Sequence, residues 1–177
     1  LAHIAITDIA SLSALTYLTI LYLSDNQITD ITPLSALTNL TELHLGCNQI
    51  TDITPLLGLT NLTILSLNNN EITDVTPLSA LTNLTKLGIE NQEITDITPL
   101  SALTNLTELS ISDGITDISP LSALTNLTKL SISDGITDIS PLSALTNLTK
   151  LSIIYNDKIT DISPLSALTN LTFLNLR

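Results

Sequence analysis

Eight aspartates, Asp8, Asp30, Asp52, Asp74, Asp96, Asp117, Asp138 and Asp161, recur along the chain at nearly constant intervals. Carboxylates stacked in this way have the chemistry to hold Ca²⁺, which draws oxygen ligands from Asp. No glycine-rich calcium loop accompanies them, and Asp in a turn commonly accepts hydrogen bonds from its own backbone; the local role is the favoured reading. Glu42, His44 and Cys47 stand close together and include residue types that ligate metals or act as nucleophiles. No second His joins them, since His3 lies near the start of the chain, and an exposed strand offers no pocket to exclude water. Phosphate-cradling glycine loops and paired catalytic carboxylates are absent as well. The expectation is a chain with no catalytic residue, no metal and no cofactor.

Asn-Leu-Thr begins at Asn39, Asn61, Asn83, Asn105, Asn126, Asn147 and Asn170, each formally a glycosylation acceptor. The repeat itself demands the same Asn, and glycans side by side at ~5 Å would crowd one another. A structural role is the favoured reading here too.

These residues recur because their whole context recurs. The strand-leading leucines Leu18, Leu40, Leu62, Leu84, Leu106, Leu127, Leu148 and Leu171 step by 22, 22, 22, 22, 21, 21 and 23 residues, and Pro33, Pro55, Pro77, Pro99, Pro120, Pro141 and Pro164 keep the same intervals. Residues 106 to 126 and 127 to 147 differ only at Glu108 versus Lys129. A period of this length with the phrase L-x-x-L-x-[LI] signals a leucine-rich repeat solenoid. The unbroken repeat over 177 residues predicts one elongated domain with no linker. Hydrophobic residues make up 44% and aromatic residues 2%, so the core must be stacked layers of Leu and Ile rather than large rings.

Within the second unit, Leu40, Leu43 and Leu45 alternate with polar neighbours around a short strand, which places Leu43 and Leu45 inward and Glu42, His44 and Gly46 outward. Ile50 and Ile53 fill the layer from the opposite side while Asp52 stays in solvent. Thr54 is expected to cap a short 3₁₀ or irregular turn with Pro55 at its first position. Asn26, Asn48 and Asn70 follow the strands at one offset and are expected to form a buried ladder bonded to backbone of adjacent turns. That ladder is expected to break at Gln92 and to be missing from the shortened SDG turns at 112 to 114 and 133 to 135, where Gly114 and Gly135 permit a tighter path. The seventh unit adds a residue within Ile154, Tyr155, Asn156, Asp157 and Lys158, just beyond its strand. The fold class that results is an α/β repeat, a right-handed solenoid with a parallel concave sheet of eight short strands and 3₁₀ or irregular turns on the convex side.

The unit LTNLTxLxLxxNxITDIxPLSAL closely resembles the internalin-type leucine-rich repeats of bacterial surface proteins over essentially the whole chain. The resemblance implies a binding scaffold whose ligand differs from member to member, and an extracellular or cell-surface location. It also implies flanking caps. The chain opens mid-unit at Leu1 and stops one residue past a strand at Arg177, so conventional caps are expected to be absent at both ends.

Composition limits the partners. The chain carries 17 acidic and five basic residues, a net charge of -12, which argues against nucleic acid and anionic membrane, since phosphates need clustered Lys and Arg. No apolar run approaches the ~20 residues that cross a bilayer, and no charged, then apolar, signal-like start is present. The single cysteine excludes an internal disulfide framework and leaves the redox compartment open.

The outward strand positions form two columns. One reads Ile20, Glu42, Ile64, Lys86, Glu108, Lys129, Lys150, Phe173, and the other Tyr22, His44, Ser66, Gly88, Ser110, Ser131, Ser152, Asn175. Cross-strand pairing explains Lys86, Glu108 and Lys129 without a ligand, but not Lys150 beside Lys129. The exposed aromatics Tyr22, Tyr155 and Phe173 are plausible anchors for a partner. The expectation is a non-enzymatic module that binds a protein or glycan through Tyr22, His44, Lys86, Glu108, Lys129, Lys150, Tyr155 and Phe173. A structural segment whose chains associate end to end into a fibre or spacer is the alternative.

Overall fold

Each unit lays down one strand because its apolar residues fall at every second position for only a few residues before the backbone is forced to turn. The computed structural model describes residues 5–90, 92–112, 114–133 and 135–177, so His3, Asp113, Asp134 and the opening residue Leu1 lie outside the described residues. The strands are β1 (Ile20–Tyr22), β2 (Glu42–His44), β3 (Ile64–Ser66), β4 (Lys86–Ile89), β5 (Glu108–Ser112), β6 (Lys129–Ser133), β7 (Lys150–Ile154) and β8 (Phe173–Leu176). They pair in chain order, all parallel, in one eight-stranded sheet. A Thr before each strand locks the coil to the previous turn: Thr63 N–H donates to the Thr41 carbonyl at 2.8 Å, and its hydroxyl reaches the same oxygen at 3.0 Å.

Between strands, the chain crosses a buried layer and returns through short 3₁₀ turns such as Thr32–Ala36 and Ser119–Ala123. Leu40, Leu43, Leu45, Ile50, Ile53, Leu56 and Leu59 of one unit are all buried, with accessibility of 1% or less. Burying a side chain of this size contributes about 1.5–3 kcal/mol relative to leaving it exposed. The repeat therefore stabilises itself layer by layer, with Leu and Ile supplying nearly all of the core.

Asp, rather than Thr, caps the turn. Thr54 is the first residue of its 3₁₀ segment and Pro55 the second, with no side-chain bond from the residue before them. Asp52 Oδ1 instead accepts the Thr54 N–H at 2.8 Å. The same bond, also 2.8 Å, joins Asp8 to Ala10, Asp30 to Thr32, Asp74 to Thr76, Asp96 to Thr98, Asp117 to Ser119, Asp138 to Ser140 and Asp161 to Ser163. The aspartate ladder is a column of turn caps, and no group of three His, Cys, Asp or Glu among the described residues is arranged to hold a metal.

The asparagine ladder forms and extends further than the sequence suggests. Asn48 Oδ1 accepts the Ile28 N–H at 3.0 Å, and its Nδ2 donates to the Leu23 and Leu45 carbonyls at 2.9 Å each. Gln92 does not break the series: its Oε1 accepts the Ile72 N–H at 3.0 Å and its Nε2 donates to the Leu67 carbonyl at 2.7 Å. The amide group is what the layer needs, and the longer Gln92 side chain still delivers it to both backbone partners. Asn156 resumes the pattern, accepting the Ile136 N–H at 2.8 Å.

The residue before each ladder Asn turns the chain through left-handed backbone: Asp25 has φ 59°, Cys47 56°, Asn69 56° and Tyr155 58°. In the two shortened turns glycine takes that part, with φ 71° at Gly114 and 87° at Gly135. β5 and β6 run on for five residues into these turns. Ile154 also belongs to its strand, as the last residue of β7, so the extra residue of the seventh unit enters only after it.

Candidate functional site

Both outward columns are in register across the sheet. Ile20 pairs with Glu42, Glu42 with Ile64, Ile64 with Lys86, Lys86 with Glu108, Glu108 with Lys129, Lys129 with Lys150 and Lys150 with Phe173. The second column runs beside it from Tyr22 to Asn175. At the third outward position of β2's unit, Gly46 is buried, and a Cβ there would meet the Asn68 carbonyl oxygen at 3.4 Å.

Two separate clusters occupy this face. At the β1–β2 end the Tyr22 hydroxyl donates to Glu42 Oε1 at 2.6 Å, and His44 Nε2 lies 2.9 Å from the same oxygen. The Tyr22 and His44 rings stack with centroids 4.6 Å apart. Hydrogen bonds from Tyr22 and then His44 hold the Glu42 carboxyl below the usual range, and the bond to Glu42 pushes the Tyr22 phenol up. Cys47 takes no part in this cluster. Its thiol is pushed up by desolvation and by Asp25, the reverse of what a nucleophile needs.

Toward the other end Glu108 Oε1 meets Lys129 Nζ at 2.9 Å and Lys86 Nζ at 3.2 Å. The Lys129 bond, then Lys86, lowers the Glu108 carboxyl below its ordinary range despite its partial burial. Lys150 forms no ion pair among the described residues. A shallow groove of about 350 Å³ runs along this part, lined among others by Ile64, Asn68, Lys86, Gly88, Ser131 and Phe173. A Cβ on Gly88, at the groove floor, would stand 2.8 Å from Asn68 Oδ1 and would displace the Asn68 side chain from its bond to the Glu90 N–H (2.9 Å).

Of the eight residues singled out in the sequence, Lys86, Glu108, Lys129, Lys150 and Phe173 share the groove, while Tyr22 and His44 form the cluster at β1–β2. Tyr155 sits apart from both, beyond the end of β7 beside a second hollow of about 530 Å³ with Ile153, Ile162 and Arg177. Ile64, Asn68 and the serines Ser110, Ser131 and Ser152 also line the groove. Their column positions were legible, but small or aliphatic side chains carry no signal of their own.

The sequence profile described as Leucine Rich repeats (2 copies) matches residues 18–58, 60–102, 104–144 and 125–166. Internalin C2 of Listeria monocytogenes is 42% identical and superposes with a TM-score of 0.91 over 98% of this chain and 77% of its own. The chain belongs to the internalin-type leucine-rich repeat proteins. A second Listeria monocytogenes internalin (inlF) is 39% identical, TM-score 0.81, over 97% of this chain and 58% of its own. A Leptospira interrogans leucine-rich repeat protein, 22% identical over 94% of this chain and 51% of its own with a TM-score of 0.77, shares the fold. The curated proteins include no match. An internalin-type repeat fold is a protein-binding module. No helix among the described residues is long and apolar enough to cross a membrane.

Proposed function

We propose that this chain is a non-enzymatic recognition module of a bacterial surface or secreted protein, and that it binds a protein partner across the open face of its sheet. The observation that carries the reading is the in-register pair of columns, where large or charged side chains stand in solvent on a rigid backbone. Tyr22 is 65% exposed, and the Lys86 and Lys129 side chains on interior strands are 48% and 47% exposed. Aromatic side chains presented on fixed backbone lose little entropy on binding, which suits them as anchors.

Eight strands at ~4.8 Å and three to five residues at ~3.3 Å make a face on the order of 450 Å² in projection. A stable complex commonly buries ~800 Å² per partner. A partner therefore extends past the columns to the edge where the strands exit, and Tyr155, 70% exposed, stands there.

A photoreactive amino acid at Ile64 or Ser131 should trap a protein that one at Ser35 or Ser122, on the convex turns, does not. Replacing Tyr22, Lys150, Tyr155 and Phe173 together with alanine should abolish the product while circular dichroism stays unchanged. Equal trapping from the convex positions, or binding that survives the four replacements, sinks the reading.

A further inference from the structure

We infer that the β6–β8 part of this face receives a carboxylate-bearing segment of the protein partner, with the carboxylate seated between Lys129 and Lys150 and an adjacent apolar side chain against Phe173. The inference rests on the recognition role proposed above. It begins from a local excess of charge that the fold does not neutralise. Lys86, Lys129 and Lys150 share one column with two acids: Glu108 is already engaged by Lys86 and Lys129, and Glu42, two strands beyond Lys86, is bonded to Tyr22 and His44, so neither acid pairs with Lys150. Like charges directly across adjacent strands destabilise a sheet. Lys129 and Lys150 are such a pair, with Cα atoms in register. This excess sits on a chain whose net charge is -12 and which has only five basic residues in all.

The surroundings fit a carboxylate on a protein rather than a polyanion. Ser131 and Ser152 lie in register in the next outward column and bring hydroxyl donors alongside the two lysines. Asn175 Nδ2 donates to Ser152 Oγ at 3.3 Å, a bond that leaves the Ser152 hydroxyl hydrogen uncommitted to Asn175, and Ser152 lines the groove. Phe173 pairs with Lys150 in register and is 51% exposed, which supplies an apolar wall one strand away. One carboxylate spans two ammonium groups on neighbouring strands at ~5 Å. A sulfated glycan, in contrast, would carry its further charges into the field of an acidic chain.

The test uses the whole folded chain and two blocked peptides, acetyl-Ala-Leu-Glu-Phe-Ala-amide and its Gln counterpart, followed by amide shifts in nitrogen-15 spectra. The Glu peptide should give saturable shifts at Ser131, Ser152 and Asn175, and the Gln peptide should bind about tenfold more weakly. Lys150→Glu should weaken the Glu peptide by at least that factor with its spectrum otherwise folded. Lys158→Glu, an equal change of net charge outside the groove, should leave it unchanged. Equal binding of both peptides, or no shifts at millimolar peptide, overturns the proposal. So does a heparin hexasaccharide that occupies the same amides more tightly than the Glu peptide. If the shifts centre on Tyr22, His44 and Ile64, this proposal falls and the recognition face stands; if they map to the convex 3₁₀ turns, both fall.

Discussion

The phenol ring of Tyr22 lies over the imidazole of His44, their planes 14° apart, and the polar tip of each ring meets the same oxygen of Glu42. Three side chains from two strands thus hold one another in place on a surface where each alone would rotate freely. Tyr22→Phe keeps the stack and removes the largest cause of the lowered Glu42 ionisation. The Glu42 titration midpoint, followed by carbon-13 carboxyl shifts, should move up toward the ordinary ~4.3 of a free Glu. In Glu42→Gln the Tyr22 phenol should conversely ionise at lower pH than in the parent, because its raised value stems first from the bond to Glu42. Coincident titrations in parent and variants would mean that the cluster is not populated in solution.

The buried amide ladder can be ranked bond by bond. Without the Asn48 side chain, the Leu23 carbonyl keeps Asn26 Nδ2 and the Leu45 carbonyl keeps Asn70 Nδ2, so the group left without its partner is the Ile28 N–H. One orphaned buried donor costs about 1–3 kcal/mol, so Asn48→Ala should lower stability by about 2 kcal/mol rather than by the sum of its bonds. Asn39 is exposed, and its amide makes one bond, to the Thr16 carbonyl at 2.8 Å. Asn39→Ala should cost less than about 1 kcal/mol. Urea midpoints of the two variants check the order, and equal losses would contradict it.

Glycine is needed at some turns and dispensable at others. At Gly114 the backbone has φ 71° and a Cβ would stand 2.9 Å from the Ile94 carbonyl oxygen; at Gly58 a Cβ meets nothing within 4 Å. Gly114→Ala adds a left-handed penalty of about 1–2 kcal/mol and a contact with backbone that cannot rotate away. Gly58→Ala should be neutral or stabilise by about 0.5 kcal/mol through the unfolded chain. Thermal melts of the two variants should shift in opposite directions or leave Gly58→Ala unmoved.

The regular part of this molecule was legible because its period is written in large apolar residues. Leu40, Leu43 and Leu45 fix the strand, Ile50 and Ile53 fix the return layer, and the columns follow from register alone. What sequence spacing missed was a matter of competing donors and of shape. Thr54 and Asp52 are both good capping residues, and only the backbone path decides that Asp52 reaches the amide. Gln92 looks like a break in an Asn series, yet the layer asks for an amide group and accepts the longer side chain. Gly46 alternates outward and is nonetheless buried, since the neighbouring strand exit covers it. On the face itself, the columns were readable, but their division into an aromatic cluster at β1–β2 and a basic groove toward β8 depends on side-chain reach that spacing does not encode.

Acid should unfold this chain through its caps, although it is strongly acidic and protonation relieves repulsion. Hydrogen bonds from Thr32, Thr76 and Thr98 hold Asp30, Asp74 and Asp96 below their ordinary range, and the Ser119 and Ser163 bonds do the same for Asp117 and Asp161. Repulsion from Asp96 acts the other way on Asp74 and Asp117, but it ranks last among their causes and the net direction is down. A carboxyl whose folded pKa lies below its unfolded value contributes stability that is full above the unfolded pKa and is lost as pH falls through the folded one. Stability should therefore decline steadily from about pH 5 to about pH 2, and the decline should be shallower in Asp96→Asn, which keeps a neutral acceptor for the Thr98 N–H at every pH. The measurement is the urea midpoint of parent and variant across that range. A midpoint that rises on acidification would show that self-repulsion, rather than the ladder of capped turns, sets the pH response of the coil.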